Sequence, residues 1–107
     1  MAQSYKERKA TQDGTAHRVT CEETKQIRQV HTGIVGYEYN ESWEYATYKE
    51  AYTKFQDTID RRKKRGYRTR HIDVISGVQA QWIGVSRSGL PVQITLRTYQ
   101  DWDRSPT

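Results

Sequence analysis

The hydrophobic pattern of the sequence is clearest between Thr47 and Arg70, where apolar residues recur at helical spacing. Thr47 and Glu50 form a capping box, because each side chain can satisfy a free backbone N–H of the first turn. Gly66 follows the last periodic residue, where helices commonly end in a left-handed conformation. The pattern predicts a helix over residues 48–65 with one apolar stripe, formed by Tyr48, Ala51, Tyr52, Phe55 and Ile59.

Three stretches after this helix alternate between apolar and polar residues, which is typical of strands with one buried face. Residues 67–76 and 78–86 are the first two, with Trp82 near the middle of the second. Turn-forming residues at 87–90 then lead into Pro91–Tyr99, where proline suits the first position of a strand. The last two strands are predicted to pair as a hairpin, with the inward face of the final strand formed by Val92, Ile94 and Leu96.

The residues before the helix have a weaker pattern. Residues 17–23 alternate with His17, Val19 and Cys21 on one face, which predicts a strand, and a helical turn starting at Cys21 is the alternative.

Residues 27–39 predict a longer strand whose phase changes between Gly33 and Gly36. Glycines inside a strand often mark a bulge, which would re-phase the side chains. A turn that joins two short strands is the alternative at these glycines. Residues 40–46 are predicted to lead into the helix.

These elements together predict an α+β fold: a small antiparallel sheet of about four to five strands, with one main amphipathic helix packed on one face, in the order β(β)-α-β-β-β. We expect the helix stripe to cover the inward-facing side chains of the last strands. A chain of 107 residues fits one domain, expected at residues 17–99. Residues 1–16 are expected to form a flexible tail and residues 100–107 a polar tail.

The positive charge of the chain is concentrated in one segment. The formal net charge is +5, but residues 61–70 contain seven Lys or Arg residues and no acid, so the other residues sum to −2. Only 34% of the residues are hydrophobic and the mean hydropathy is −1.05. A patch of this kind is typical of a protein with an anionic partner.

The segment predicts a nucleic-acid-binding site, for RNA or DNA, at the C-terminal end of the helix. Lysine and arginine neutralise phosphates and release counterions, which makes binding depend on salt. Tyr67 lies inside the segment and is expected to stack on a base. The predicted site consists of Arg61, Arg62, Lys63, Lys64, Arg65, Tyr67, Arg68 and Arg70.

The remaining sequence features argue against several other classes. Cys21 is the only cysteine, so no internal disulfide or cysteine-based zinc site can form, and we expect no metal or cofactor. The phosphate loop, dinucleotide fingerprint and HExxH motifs are absent, so the chain is not expected to be an enzyme. With no apolar run of about 18 residues and no apolar segment near Met1, we expect no membrane partner and a cytoplasmic location.

Two alternatives remain open. The first is a small non-enzymatic interaction or inhibitor protein, of the type that mobile elements encode, which binds a host protein through a sheet edge or as a homodimer. Exposed aromatic residues such as Tyr37, Trp43 and Trp102 would then matter most. The second is a pocket that sequesters a small anionic ligand.

A polar platform on the exposed face of the sheet is a further hypothesis. Sheets that bind single strands combine aromatic residues with cations. An ordinary solvated face is the simpler interpretation of these residues, which are Gln79, Gln81, Thr95, Arg97 and Tyr99.

Overall fold

The computed structural model describes residues 15–99, which form five strands and one helix. The elements are β1 (Ala16–Val30), β2 (Gly33–Tyr45), α1 (Tyr48–Lys64), β3 (Arg68–Ile75), β4 (Gln79–Val85) and β5 (Pro91–Tyr99). All the strands belong to one antiparallel sheet with the spatial order β2-β1-β5-β4-β3. The predicted α+β class is confirmed, and the chain order is β-β-α-β-β-β. The predicted tails lie outside the described residues, except Thr15 and Ala16.

Helix α1 begins where the capping box predicts. The N-cap Thr47 accepts a hydrogen bond through Oγ1 from the Glu50 N–H at 3.2 Å, and its hydroxyl donates to the Glu50 carboxylate at 3.1 Å. At the other end, Gly66 has a φ of +99°, which glycine adopts without strain. The Gly66 N–H donates to the carbonyl of Lys63 at 3.0 Å, so the chain leaves the helix at the predicted residue.

The predicted single strand over residues 27–39 is wrong. The alternative of a turn joining two strands is correct in kind, but the turn lies at residues 31–32, before Gly33, and both strands are long. β1 ends at Val30, and β2 begins at Gly33, which pairs with Val30 across a two-residue turn. Gly33 has a φ of +145°, a conformation that residues with a side chain rarely adopt. A bulge is present, but it lies in β1 between Gln26 and Arg28.

β2 is also longer than predicted. It continues through residues 40–45, which were expected only to lead into the helix. Its second half is buried, although it contains Glu41 and Glu44. Trp43, predicted to be exposed, is 8% exposed and lies under Lys54, whose Nζ is 4.3 Å from the ring centroid.

The hydrophobic core lies between α1 and one face of the sheet. Strand β5 contributes Val92, Ile94 and Leu96, which are fully buried as predicted. Trp82 of β4 pairs with Ile94 and is buried beside it. The indole N–H of Trp82 donates to Thr69 Oγ1 at 2.9 Å, so this buried polar atom has a partner. The helix contributes Ala51, Phe55 and Ile59 to the same cluster, and β1 contributes Val19 and Cys21.

The helix covers only part of the sheet. It packs mainly against β5, β1 and β2, while every residue of β3 is exposed. Ile72 and Val74, which lie beside Trp82 and Ala80 on the helix side, remain 53% and 41% exposed. The prediction that the helix packs on one face of the sheet is therefore correct for β5, β1 and β2 and not for the β3 edge.

The first two strands extend beyond the rest of the sheet. β5 pairs with β1 only from Ala16 to Glu23, whereas β1 and β2 pair with each other as far as Val30 and Gly33. Residues 24–38 therefore form a two-stranded ribbon, which we call the hairpin arm. Fifteen residues of β1 at about 3.3 Å each span about 50 Å, close to the longest molecular dimension of 53 Å.

Within residues 15–99, no helix has the length and apolar content needed to cross a bilayer.

The Phe55 side chain provides a direct test of how α1 packs. Phe55→Ala should lower the free energy of unfolding by about 3–5 kcal/mol, because it leaves a cavity in a fully buried site. Urea denaturation followed by tryptophan fluorescence measures the change. Thr53→Ala, at an exposed position of the same helix, should change it by less than about 0.5 kcal/mol. Equal losses for the two variants would contradict the packing of α1 through its apolar stripe.

Candidate nucleic-acid interface

The exposed cations of residues 61–70 lie at one end of the molecule, where α1 ends and β3 begins. The end of β4 and the start of β5 lie at the same end, because Arg68 pairs with Val85 and Val85 pairs with Pro91. Most of the predicted site is accessible there: the exposed members are Arg61, Lys63, Lys64, Arg65, Arg68 and Arg70.

Arg62 is a correction to the predicted site. Its side chain is directed into the protein and is only 7% exposed as a residue. One guanidinium nitrogen donates to Glu23 Oε1 at 2.6 Å, and another donates to the Thr58 carbonyl at 3.1 Å. Arg62 therefore neutralises a buried carboxylate of β1 and is not placed to contact a phosphate.

Tyr67 is held by the same carboxylate. Its hydroxyl donates to Glu23 Oε2 at 2.5 Å, and its partly buried ring packs against the core. The Arg65 guanidinium lies 5.8 Å from the ring centroid. Burial, followed by the hydrogen bond to Glu23, raises the pKa of Tyr67 to about 12, so the hydroxyl remains a donor. These contacts give Tyr67 a structural role, and stacking on a base stays a prediction.

Arg61 lies with the cations at the helix end, and Arg87 adds one from another part of the chain. Arg61 is 70% exposed and forms an ion pair with Asp57 at 3.0 Å, one helical turn earlier. Arg87, from the β4–β5 turn, packs closely on Gly66. A Cβ atom added to Gly66 would lie 2.0 Å from Arg87 Nε, which is too close for a side chain at that position. We call these seven surface residues the basic end: Arg61, Lys63, Lys64, Arg65, Arg68, Arg70 and Arg87.

Sequence reasoning missed Arg87 because it is 17 or more residues away from the rest of the basic end. The topology contains the signal that would find it. β3 starts at the helix end, and antiparallel β4 returns to that end, so the β4–β5 turn must lie beside the end of α1. An arginine in that turn therefore belongs with the helix-end cations.

Glu23 connects the basic end to the sheet. It is 2% exposed, and both carboxylate oxygens are occupied, one by Arg62 and one by Tyr67. Burial alone raises the pKa of a carboxyl group, but the hydrogen bonds from Tyr67 and Arg62 and the positive charge of Arg62 outweigh it. The pKa of Glu23 is therefore lowered from its ordinary value, and the carboxylate stays ionised at neutral pH.

The hairpin arm leaves the sheet beside this buried pair. Glu23 pairs with Val92, which is the last pair between β1 and β5, and the arm begins at the next residue. Because Arg62 in the last turns of α1 bonds to Glu23, the end of the helix lies at the base of the arm. The basic end and the arm are therefore neighbours, and both are accessible.

The open face of the sheet, opposite α1, carries the predicted polar platform. Gln79 pairs with Arg97 and Gln81 pairs with Thr95, so these residues do lie together. A groove of about 210 Å³ on this face is lined by three of these residues and by Arg18. Arg18 forms an ion pair with Glu44 at 3.0 Å. The same face carries further acids, Glu22 and Asp73, which also line grooves on it. Mixed charge of this kind suits a polyanion less well than the basic end does.

Among residues 15–99, no group of three or more His, Cys, Asp or Glu side chains is arranged to hold a metal ion. His17, His31 and His71 lie in β1, in the hairpin turn and in β3. Burial raises the pKa of the Cys21 thiol to about 11, so it remains protonated inside the core.

Comparison of the chain with protein-family models, with curated proteins and with solved structures finds no match in any of the three.

Glu23→Gln should destabilise the protein by about 3–5 kcal/mol, because it removes the charge that neutralises buried Arg62. Urea denaturation at pH 7 measures the change. Glu38→Gln, on the exposed part of β2, is the control and should change the free energy of unfolding by less than about 0.5 kcal/mol.

The stability difference between the wild type and Glu23→Gln should also depend on pH. Because folding lowers the pKa of Glu23, its contribution is fully present above the ordinary pKa of 4.5 and is lost as pH falls through the lower folded value. The stability difference between the wild type and Glu23→Gln should therefore shrink as pH falls from about 5 to about 3. A difference that stays constant over this range would contradict an ionised Glu23 paired with Arg62.

Proposed function

We propose that the protein binds nucleic acid, RNA or DNA, through the basic end. The observation that carries the proposal is the placement of seven surface cations from α1, β3 and the β4–β5 turn at one end of the molecule. Within residues 15–99, Arg61 is the member of the basic end that has a carboxylate partner, Asp57, which leaves six cations for phosphates. These six are Lys63, Lys64, Arg65, Arg68, Arg70 and Arg87.

The mechanism is electrostatic. Each phosphate that a lysine or arginine neutralises releases condensed counterions, so the logarithm of the binding constant falls linearly with the logarithm of the salt concentration. Six contacts with duplex DNA correspond to a slope of roughly −5, and to roughly a thousandfold loss of affinity between about 50 and 200 mM salt. Such contacts supply affinity and register but do not read the base sequence.

A second candidate is a protein-interaction module that uses the β3 edge. β3 is the last strand in the sheet order and is exposed along its whole length, including the apolar residues Ile72, Val74 and Ile75. An exposed edge strand offers unpaired backbone groups to an extended segment of a partner. Val74→Pro would block such pairing and leave the basic end unchanged, so it separates the two candidates.

The basic end makes a specific prediction about salt dependence. The double variant Lys63→Ala and Arg68→Ala should weaken binding to a fluorescent 20-base-pair DNA duplex and reduce the salt slope by roughly two, because two phosphate contacts are lost. Fluorescence anisotropy over a series of salt concentrations measures both quantities. The same titration with single-stranded RNA shows which nucleic acid is preferred.

The matched control is the double variant Lys49→Ala and Arg97→Ala. It removes the same charge from exposed positions at the start of α1 and on the open face. Its salt slope should equal that of the wild type. Equal effects of the two double variants would mean that net charge alone drives binding. No binding to either nucleic acid at low salt would contradict the proposed function.

A further inference from the structure

The hairpin arm is a two-stranded ribbon of the right size to enter a groove. Seven residues of β1 beyond Glu23 extend it about 23 Å from the sheet. Among the described residues, β1 and β2 in the arm pair only with each other. An isolated two-stranded ribbon is marginal in water unless something covers it.

The bulge in β1 determines which side chains share a face of the arm. Lys25 pairs with Tyr37, two residues from the Glu23–Tyr39 pair, so both pairs lie on the helix side. After the bulge, Arg28 pairs with Val35, two residues before Tyr37 in β2. Without the bulge, Arg28 would point to the opposite face, because side chains alternate along a strand. The bulge therefore places Arg28 on the same face as Lys25.

The two faces of the arm differ in charge. Within residues 24–38, the helix-side face carries Lys25 and Arg28 and no acid. Buried Glu23 and Glu41 lie on the same face at the base of the arm. Glu38, the acid of the arm, lies on the other face, where Thr24 Oγ1 donates to it at 3.5 Å. Positive charge thus continues from the basic end along one face of the arm.

Three apolar side chains of the arm are only partly covered by the described residues. Ile27 is 61% exposed, Tyr37 is 49% exposed and Val30 is 37% exposed. Cations interspersed with exposed apolar residues fit a groove that presents phosphates at its edges and bases at its floor.

We propose that the hairpin arm enters the major groove of duplex DNA while the basic end holds the adjacent phosphates. This inference rests on the proposed function and names its substrate as a DNA duplex. The major groove of B-DNA is about 12 Å wide and admits a two-stranded ribbon. The major groove of duplex RNA is deep and narrow and does not admit side chains for readout.

Charge complementarity favours DNA over a second copy of this chain as the occupant. Two arms that met through their helix-side faces would bring Lys25 and Arg28 of both copies together. Like charges in contact are unfavourable, whereas a polyanion neutralises the arm and the basic end at once.

The test compares binding to a 20-base-pair DNA duplex and to an RNA duplex of the same length by anisotropy at about 150 mM salt. The wild type should bind the DNA at least roughly tenfold more tightly, because only the DNA groove admits the arm. The double variant Lys25→Gln and Arg28→Gln should bind the DNA roughly tenfold more weakly and bind both duplexes nearly equally. Arg28→Gln alone, at an exposed position, should show a smaller change in the same direction.

Two controls separate a groove contact from loss of charge or of folding. Gln26→Ala with Gln29→Ala changes the other face of the arm, and Lys49→Gln with Arg97→Gln removes equal charge elsewhere. Both should leave the DNA preference unchanged, and thermal unfolding checks that every variant is folded.

The outcomes distinguish this inference from the proposed function. Equal binding of the two duplexes by the wild type, or an arm variant that binds like the wild type, overturns the arm proposal. The proposed function still stands in that case if Lys63→Ala with Arg68→Ala weakens binding. A sedimentation mass of two chains that falls to one in the arm variant would assign the arm to a second copy and also overturn it.

Discussion

The buried ion pair between Glu23 and Arg62 is the interaction on which the rest of the structure depends. Removing two charges from water is costly, and their attraction offsets that cost only where the geometry is good and the remaining atoms are bonded. Here the carboxylate accepts from Arg62 and Tyr67, and the guanidinium also donates to the Thr58 carbonyl. Among the described residues, the buried Arg62 Nε is the one polar atom of this pair without a hydrogen-bond partner. The pair therefore fixes the position of the helix end against β1.

This position has consequences at the surface. Since Arg62 is used inside, the neighbouring residues in α1 are directed outward, and the chain leaves the helix towards β3 with its cations exposed. Arg87 packs on Gly66 and adds a cation from a distant part of the sequence. The pair also lies at the last residue of β1 that β5 covers, so the hairpin arm begins beside the basic end.

Local pattern was sufficient to predict the elements after residue 46. The helix stripe and caps, the final hairpin and the inward face of β5 all follow from periodicity and turn chemistry, and the structure confirms them. In the first half, glycines could mark either a bulge or a turn, and pairing between β1 and β2 decided for the turn. β2 was missed beyond residue 39 because Glu41 and Glu44 interrupt its apolar pattern.

The sequence located most of the exposed cations at the end of the helix, and the contacts that it missed come from long-range pairing. Helical spacing places Arg62, unlike Arg61, on the same face as Phe55 and Ile59. The partner that buries it lies 39 residues away in β1, and local sequence does not reveal that partner. The burial of Glu23 also could not be predicted from the local sequence, since a glutamate at the end of a strand normally faces solvent. The arm could not be inferred either, because its exposure depends on where β5 stops pairing.

Mapping of backbone amide shifts by NMR, with a DNA duplex titrated into labelled protein, tests the central claim most directly. The account predicts shifts concentrated in three segments: residues 61–70, the β4–β5 turn around Arg87, and the hairpin arm. Shifts centred on the open face around Gln81, Thr95 and Arg97, or no shifts at low salt, would contradict it.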